Sequence, residues 1–142
     1  MGKYVAEMTV KKLIRAGKAV KEARGLVLGL TFKENVSEIR NTKVVDILSE
    51  LKEYGVETLV HDPVASPEEA KHSYGIELVK LHAAGQVDAV ILAVAHSQFL
   101  NFPPERLKEF CGNGNGYGVV IDVKNVLDRR QVEEQGLRYW SL

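Results

Sequence analysis

The chain has a single cysteine, no excess of either charge and no long apolar run, and each absence excludes a class of protein. Cys111 has no partner for an internal disulfide, so we predict a cytoplasmic protein. No charged-then-apolar leader and no run of about 18 apolar residues is present, so we expect no membrane partner. Lys plus Arg and Asp plus Glu both number 19. Without a basic field, we expect no nucleic-acid partner.

Metal and dinucleotide motifs are also missing. The four histidines, at positions 61, 72, 82 and 96, lack the spacing of metal ligands, so no metal site is predicted. No GxGxxG follows a strand, so no motif supports NAD binding by this chain alone. No catalytic residue is assigned. Cys111 has no cation or histidine near it in sequence, which favours a small buried apolar residue over a nucleophile.

Apolar strands alternate with amphipathic helices along the 142 residues, which suffice for one hydrophobic core. The pattern predicts helices over 1–16, 42–54, 66–73, 80–84, 103–110 and 129–135. It predicts strands over 25–31, 57–61, 76–78, 89–94, 119–123 and 137–140, with a glycine-rich turn over 112–118. Such alternation is typical of right-handed βαβ crossovers. We predict a doubly wound, Rossmann-like α/β fold, a mostly parallel sheet with helices on both faces.

The most informative stretch joins the first strand to an amphipathic helix through a polar loop, Gly29 to Lys43. Lys33 and Arg40 lie in this loop, and Asn41 or Thr42 can cap the helix that follows. Two cations therefore gather near the positive end of a helix dipole. This arrangement favours a phosphate site.

The carboxyl ends of the strands are the expected ligand edge, because open α/β sheets bind ligands there, near the topological switch point. Phe32 follows the first strand and Lys124 follows the strand over 119–123. With the two loop cations, we expect three cations and an aromatic ring to converge at this edge. The alternative is a solvated loop whose cations pair with Glu34 and Glu38.

Two further polar residues end strands at the same edge. Asp62 follows the second strand, where dinucleotide folds hold a ribose hydroxyl. We favour a turn-forming Asp-Pro instead, because the first loop lacks the close-packed glycines of such folds. His96 follows the strand over 89–94 and is interpreted as a local hydrogen-bonding residue rather than an acid or base.

Five segments together resemble the C-terminal, UDP-binding domain of the UDP-glucose/GDP-mannose dehydrogenase family: FKENVSEIRNTK, VVDILSELKEYG, VHDP, AVAHSQF and DVKNVLD. Within that family the chain is most similar to the branch that oxidises UDP-N-acetylhexosamines for surface polysaccharides. Residues 1–17 resemble the end of the helix that links the two halves of such enzymes. We therefore predict that 1–24 are the end of an interdomain helix and its connector, and that 25–142 are the UDP-binding α/β domain.

The resemblance also implies roles for single residues. Phe32 and Lys33 match positions that hold the nucleotide end of the UDP-sugar substrate. Arg40 matches an arginine that reaches NAD in the assembled enzyme. Lys124 matches a substrate-contacting arginine, although a lysine offers a point charge where arginine offers a planar fork.

The implied parent protein is an NAD-dependent nucleotide-sugar 6-dehydrogenase of polysaccharide biosynthesis. Its substrate would be UDP-N-acetylglucosamine, UDP-N-acetylgalactosamine or UDP-glucose, oxidised to the uronic acid. The resemblance implies an N-terminal domain that carries the catalytic cysteine and most of the NAD site, and a homo-oligomer. We accordingly expect this chain to be a non-catalytic fragment that anchors uridine diphosphate. The alternative is a stand-alone, non-catalytic nucleotide-binding or regulatory module.

Overall fold

Five parallel strands form one sheet in the computed structural model, which describes residues 2–112 and 117–142. The strands are β1 Arg24–Leu28, β2 Glu57–His61, β3 Ala89–Leu92, β4 Val119–Asp122 and β5 Arg138–Ser141. Their order across the sheet is β2-β1-β3-β4-β5, and every neighbouring pair is parallel. The chain first winds outward from β1 to β2 and then continues on the other side through β3. The switch point therefore lies between β1 and β3.

Helices cover both faces of this sheet. Those in the described residues are α1 Gly2–Arg15, α2 Val44–Glu53, α3 Pro67–Tyr74, α4 Ser97–Leu100, α5 Pro104–Cys111 and α6 Arg129–Glu134. The first three bury their apolar residues in one core cluster and the last three in a second cluster across the sheet. The predicted doubly wound α/β fold is confirmed. Within 2–112 and 117–142, no helix is both long and apolar enough to cross a bilayer.

Local sequence sets the starts of α2 and α3. In α3, Ser66 Oγ accepts from the backbone N–H of Glu69 at 3.3 Å and Pro67 occupies the first helical position, as the sequence indicates. α2 begins at Val44, two residues later than predicted. Thr42 still serves its start, because its Oγ1 accepts from the Val44 N–H at 3.2 Å.

β1 is shorter than its apolar run predicts. It ends at Leu28, because Gly29 turns away with φ +103°. The next two backbone N–H groups, of Leu30 and Thr31, donate to the Asp62 carboxylate rather than to a neighbouring strand. Leu30 and Thr31 remain buried. The apolar pattern thus marks burial correctly but not the strand's end.

Four other predictions need correction or qualification. The strand predicted over 76–78 is reduced to one bridge between Val60 and Leu78. The helix predicted over 80–84 is a single 3-10 turn, Leu81–Ala83. α4 was not predicted at all. In the predicted turn over 112–118, residues 113–116 lie outside the described part of the chain, as does Met1.

α1 is packed into the domain rather than standing apart from it. Val5, Ala6 and Leu13 are fully buried in the same cluster as α2 and the sheet. A Cβ added at Gly2 would lie 2.6 Å from Asp46 Cβ, so the start of α1 lies directly against α2. The proposed division at residues 24 and 25 stays a prediction, and β1 itself begins at Arg24.

Gly29 is expected to tolerate no side chain. A Cβ at Gly29 would lie 2.5 Å from Val94 Cβ and 2.8 Å from the Val94 backbone N, and the φ of +103° is itself unfavourable. We expect Gly29→Ala to lower the free energy of unfolding by about 2–4 kcal/mol. Gly17→Ala is the control, because Gly17 has φ +78° but no atom within 4 Å of its added Cβ. Gly17→Ala should lower the free energy of unfolding by only about 1 kcal/mol. Equal losses in urea denaturation would contradict the close-packing argument.

Candidate functional site

The loop that follows β1, residues 29–43, lies at the switch point and is called the β1 loop below. It closes on itself, because the Phe32 N–H donates to the Glu38 carbonyl at 2.7 Å. The Tyr74 hydroxyl of α3 donates to the Ile39 carbonyl at 2.8 Å and holds the returning half. The exposed tip of the loop, residues 32–37, is therefore carried by a backbone that hydrogen bonds fix at several points.

Asp62, directly after β2, anchors the start of this loop. Its Oδ2 accepts from the backbone N–H groups of Leu30 at 2.7 Å and Thr31 at 3.0 Å. Its Oδ1 accepts from the N–H groups of Val64 at 2.7 Å and Ala65 at 2.9 Å. The predicted turn-forming role is confirmed. The ribose-binding alternative is wrong, because the Asp62 side chain is 0% exposed.

The charge of Asp62 is stabilised by these donors. Burial by itself raises the pKa of a carboxyl group, because it removes water from the charged form. Hydrogen bonds from His96 and from the backbone N–H groups oppose burial and hold the pKa of Asp62 below its ordinary value. The carboxylate is therefore ionised at neutral pH and acts as a fixed acceptor for the β1 loop.

His96, which follows β3, joins the third strand to the same loop. Its Nε2 lies 2.9 Å from Asp62 Oδ2 and 3.1 Å from Thr31 Oγ1. Its Nδ1 accepts from the Asn35 backbone N–H at 2.9 Å. The ring is fully buried. The interpretation of His96 as a hydrogen-bonding residue is confirmed.

Aromatic residues of α4 and the segment after it support the histidine. The Phe99 ring is buried, and its centroid lies 5.6 Å from His96 and 5.7 Å from Phe102. Sequence reasoning missed this part of the site together with α4. The available signal was the segment HSQF, in which Phe99 comes three residues after the strand-ending histidine and so falls on the same side of one helical turn.

Phe32 and Arg40 border one open cleft of about 480 Å³. Its lining residues are Phe32, Glu38, Arg40, Asn41 and Tyr74. Phe32 belongs to the β1 loop, and 54% of the residue is exposed to solvent. An aromatic ring, a guanidinium group and an amide thus line one cleft at the carboxyl edge of the sheet.

The charge of Arg40 is compensated within the loop. Its Nε and Nη2 donate to the Glu38 carboxylate, the shortest distance being 2.7 Å. The Arg40 side chain and its backbone N–H lower the pKa of Glu38 to about 2. Pairing with Glu38 is the arrangement that the solvated-loop alternative predicts for Arg40. An anion at Arg40 must therefore share the guanidinium with Glu38 or displace that carboxylate.

The remaining predicted residues, Lys33 and Lys124, are exposed at the same edge of the sheet but do not line the Phe32–Arg40 cleft. Lys124 follows β4, two strands away from β1, which corresponds to roughly 10 Å. The three cations and the aromatic ring thus follow strands at one edge of the sheet, as expected, but they do not share one cleft. The structure brings Phe32 and Arg40 together, and it leaves the two lysines beside rather than within their cleft. The binding roles of all four residues stay predictions.

Cys111 lies in the core, away from this edge. Its thiol is buried at the end of α5, and burial raises its pKa to about 11. A thiol with a raised pKa is a poor nucleophile at neutral pH. In the described residues, no group of three or more His, Cys, Asp or Glu side chains could hold a metal ion.

Comparison with known sequences gives one family. The model of the UDP-glucose/GDP-mannose dehydrogenase family, UDP binding domain, matches residues 26–129. UDP-N-acetyl-D-glucosamine 6-dehydrogenase of Pseudomonas aeruginosa is 45% identical over 128 residues, which are 90% of this chain and 30% of that protein. Protein CapL of Staphylococcus aureus is 37% identical over the whole chain, which spans 32% of its length. The chain thus spans about a third of these relatives.

Several solved structures contain a region with the same fold as this chain. NDP-N-acetyl-D-galactosaminuronic acid dehydrogenase from Methanosarcina mazei Go1 superposes with a TM-score of 0.87 at 22% identity, over 99% of this chain and 28% of that one. UDP-D-MAnNAc dehydrogenase from Pyrococcus horikoshii superposes with a TM-score of 0.77 at 19% identity, over 99% of this chain and 30% of that one. At these identities the likeness concerns the fold alone.

Asp62 provides a test of how the β1 loop is held. We expect Asp62→Asn to lower the free energy of unfolding at pH 7 by about 2–4 kcal/mol, because an amide NH₂ then faces donors that the carboxylate accepted. The pKa of Asp62 is lowered in the folded state, so its stabilisation is complete above the unfolded value of about 4 and is lost as pH falls below it. The difference between wild type and variant should therefore begin to shrink as pH falls through about 4 and should go on shrinking towards the lowered pKa of the folded state.

Urea denaturation at several pH values measures that difference. The control is Asp128→Asn at the exposed start of α6, where Oδ1 accepts from the Gln131 N–H at 3.1 Å. Asn caps a helix about as well as Asp, so this change should stay below about 0.5 kcal/mol. A loss for Asp62→Asn that does not vary with pH would contradict the charge-based account.

Proposed function

Because the chain belongs to the UDP-glucose/GDP-mannose dehydrogenase family and matches its UDP binding domain over residues 26–129, we propose that it anchors the uridine diphosphate end of a nucleotide sugar. The family resemblance predicted from the sequence is thereby confirmed. The observation that carries the proposal is this match together with the position of the β1 loop at the switch point of the sheet. The ligand is bound here and is not chemically changed by residues of this chain.

The β1 loop supplies the contacts in this proposal. The exposed ring of Phe32 offers an apolar surface to the nucleotide, and the Lys33 ammonium offers a charge to the diphosphate. The loop backbone is already fixed by Asp62 and His96, so little order must be gained on binding. Lys124, in the loop after β4, is proposed to contact the substrate from the neighbouring side.

The proposed parent protein is an NAD-dependent nucleotide-sugar 6-dehydrogenase. The two sequence relatives named above are about three times as long as this chain, and one of them is a UDP-N-acetyl-D-glucosamine 6-dehydrogenase, which supports a further domain that binds NAD and carries the catalytic cysteine. UDP-N-acetylglucosamine, UDP-N-acetylgalactosamine and UDP-glucose are the proposed substrates, with the uronic acid as product for polysaccharide biosynthesis. Binding energy from the remote uridine diphosphate would hold the sugar in place for hydride transfer to NAD.

The β1 loop itself does not fit a dinucleotide. In a dinucleotide fold a glycine after the first strand lets the pyrophosphate approach the backbone, and an acid after the second strand holds a ribose. Here the space at Gly29 is taken by Val94, and the acid, Asp62, is buried and accepts from the backbone. NAD is therefore proposed to bind mainly outside this chain. Arg40, exposed at the edge, is proposed to reach it from this side.

Assembly and location are part of the same proposal. Tyr4 and Ile14 on α1 are exposed to 49% and 59%, and these two apolar side chains support a homo-oligomer in which a second copy covers them. The formal charge of zero supports a protein without nucleic-acid or membrane partners. A cytoplasmic location is proposed, since nucleotide sugars and NAD are cytoplasmic metabolites.

Calorimetry with UDP, UMP and NAD tests the proposal on this chain. We expect UDP to bind more tightly than UMP, because the second phosphate adds a charge-assisted contact at Lys33, and NAD to bind most weakly. Equal affinity for UMP and UDP would contradict a role for the diphosphate. Tight binding of NAD without UDP would favour the stand-alone nucleotide-binding module instead.

Lys33 is the residue whose removal is most informative. In the full-length enzyme, Lys33→Ala should raise KM for the sugar nucleotide by roughly tenfold or more, because a charge-assisted contact is lost. This rise corresponds to a loss of about 1.5–3 kcal/mol of binding free energy. Lys108→Ala on α5 is the matched control, since it removes an equally exposed lysine from a different part of the surface. Steady-state kinetics with varied sugar nucleotide gives both values. If KM is unchanged by Lys33→Ala, Lys33 does not belong to the site.

A further inference from the structure

The exposed tip of the β1 loop is held by two side chains that do not belong to the exposed surface. Thr31 is 1% exposed and His96 is 0% exposed. The Thr31 hydroxyl donates to the Lys33 carbonyl at 3.0 Å, and the His96 ring accepts from the Asn35 N–H at 2.9 Å. Both bonds end on the backbone of the segment that carries Phe32 and Lys33.

The directions of these bonds follow from chemistry. A backbone N–H only donates, so His96 Nδ1, which faces the Asn35 N–H, must be without a proton. The ring proton then lies on Nε2, where Asp62 Oδ2 at 2.9 Å and Thr31 Oγ1 at 3.1 Å accept it. Because the Thr31 oxygen accepts there, its own proton is free to point at the Lys33 carbonyl. One connected network thus runs from Asp62 to the tip.

A second hydrogen bond joins the segment after β3 to the β1 loop. The Asn35 side-chain oxygen accepts from the Ser97 backbone N–H at 3.0 Å. Asn35 itself has φ +61°, a conformation that Asn tolerates better than most residues. The tip is therefore bound on one side by His96 and Ser97, and on the other by Thr31.

We infer that Thr31 and His96 are positioning residues for the nucleoside diphosphate: they fix the backbone that presents Phe32 and Lys33 and so set the affinity without contacting the ligand. The identity of the ligand rests on the proposed function. The fixing of the tip does not, because it follows from the hydrogen bonds alone. Thr31 is the better residue to change, since Thr→Val keeps the side-chain shape and removes only the hydroxyl.

Calorimetric titration of this chain with UDP tests the inference. Thr31→Val is expected to weaken UDP binding by about five- to tenfold, because the Lys33 carbonyl and His96 lose their shared partner. Thr31→Ser keeps the hydroxyl and should restore affinity to within about twofold of wild type. A Ser variant as weak as the Val variant would mean that side-chain packing rather than the hydrogen bond matters, and would overturn the inference.

Thr9→Val is the matched control. Thr9 is also fully buried, and its hydroxyl donates to the Val5 carbonyl at 2.8 Å inside α1, away from the β1 loop. Thermal denaturation should show a comparable loss of stability for the two Val variants, whereas only Thr31→Val should lose affinity. Equal UDP affinity in both Val variants would overturn the positioning role.

A failure of the proposed function would look different. If the wild-type chain binds no UDP, the anchoring proposal fails, and the positioning inference is decided by amide hydrogen exchange at Asn35. Exchange there should be at least about tenfold faster in Thr31→Val than in wild type and unchanged in Thr9→Val. Unchanged exchange in Thr31→Val would overturn the inference whatever the ligand.

A measurement on the wild type covers the case in which Thr31→Val does not fold. Long-range ¹⁵N correlation spectra report which ring nitrogen of His96 carries the proton. The network requires the proton on Nε2, with Nδ1 as acceptor for Asn35. A proton found on Nδ1 would exclude the bond to Asn35 and overturn the inference.

Discussion

The chain segments that follow β1, β2 and β3 depend on one buried carboxylate, that of Asp62. It accepts hydrogen bonds from Leu30, Thr31, Val64, Ala65 and His96. Three consecutive segments of the chain, those after β1, β2 and β3, therefore meet on two oxygen atoms. A buried charge is stable only when donors replace the water it has lost, and here backbone N–H groups do so. If one of these three segments took another path, the Asp62 carboxylate would lose donors and would be left buried without full hydrogen bonding.

The same device recurs at the end of β4. Asp122 is fully buried, and its Oδ2 accepts from the N–H groups of Val126 and Leu127 and from the Tyr139 hydroxyl. Burial and the bond to Asp122 raise the pKa of Tyr139 to about 12, so the phenol remains a donor. Strand-ending aspartates thus shape the loops that carry both Lys33 and Lys124, although neither aspartate is available to a ligand.

Sequence alone predicted the parallel sheet and most of its helices, because apolar periodicity and strong helix signals such as Ser66-Pro67 are local. It did not predict the end of β1, since Leu30 and Thr31 are as buried as strand residues but bond to a side chain 31 or more positions away. Nor did it decide between the two interpretations of Arg40, because pairing with Glu38 was only the alternative that the sequence left open. Both outcomes depend on which polar partners the fold brings within reach, which periodicity does not encode.

The pairing of Arg40 with Glu38 has a consequence for how fast a ligand arrives. The β1 loop carries Lys33, Arg40 and Lys43 against Glu34 and Glu38, so its net formal charge is only +1 and the field that it projects into solvent is weak. A dianion is then steered only weakly from a distance, because strong steering needs a large net potential over roughly a Debye length of 10 Å. The rate of association at this loop should therefore depend only weakly on ionic strength. Discrimination between ligands should arise from direct contact with the loop rather than from long-range attraction.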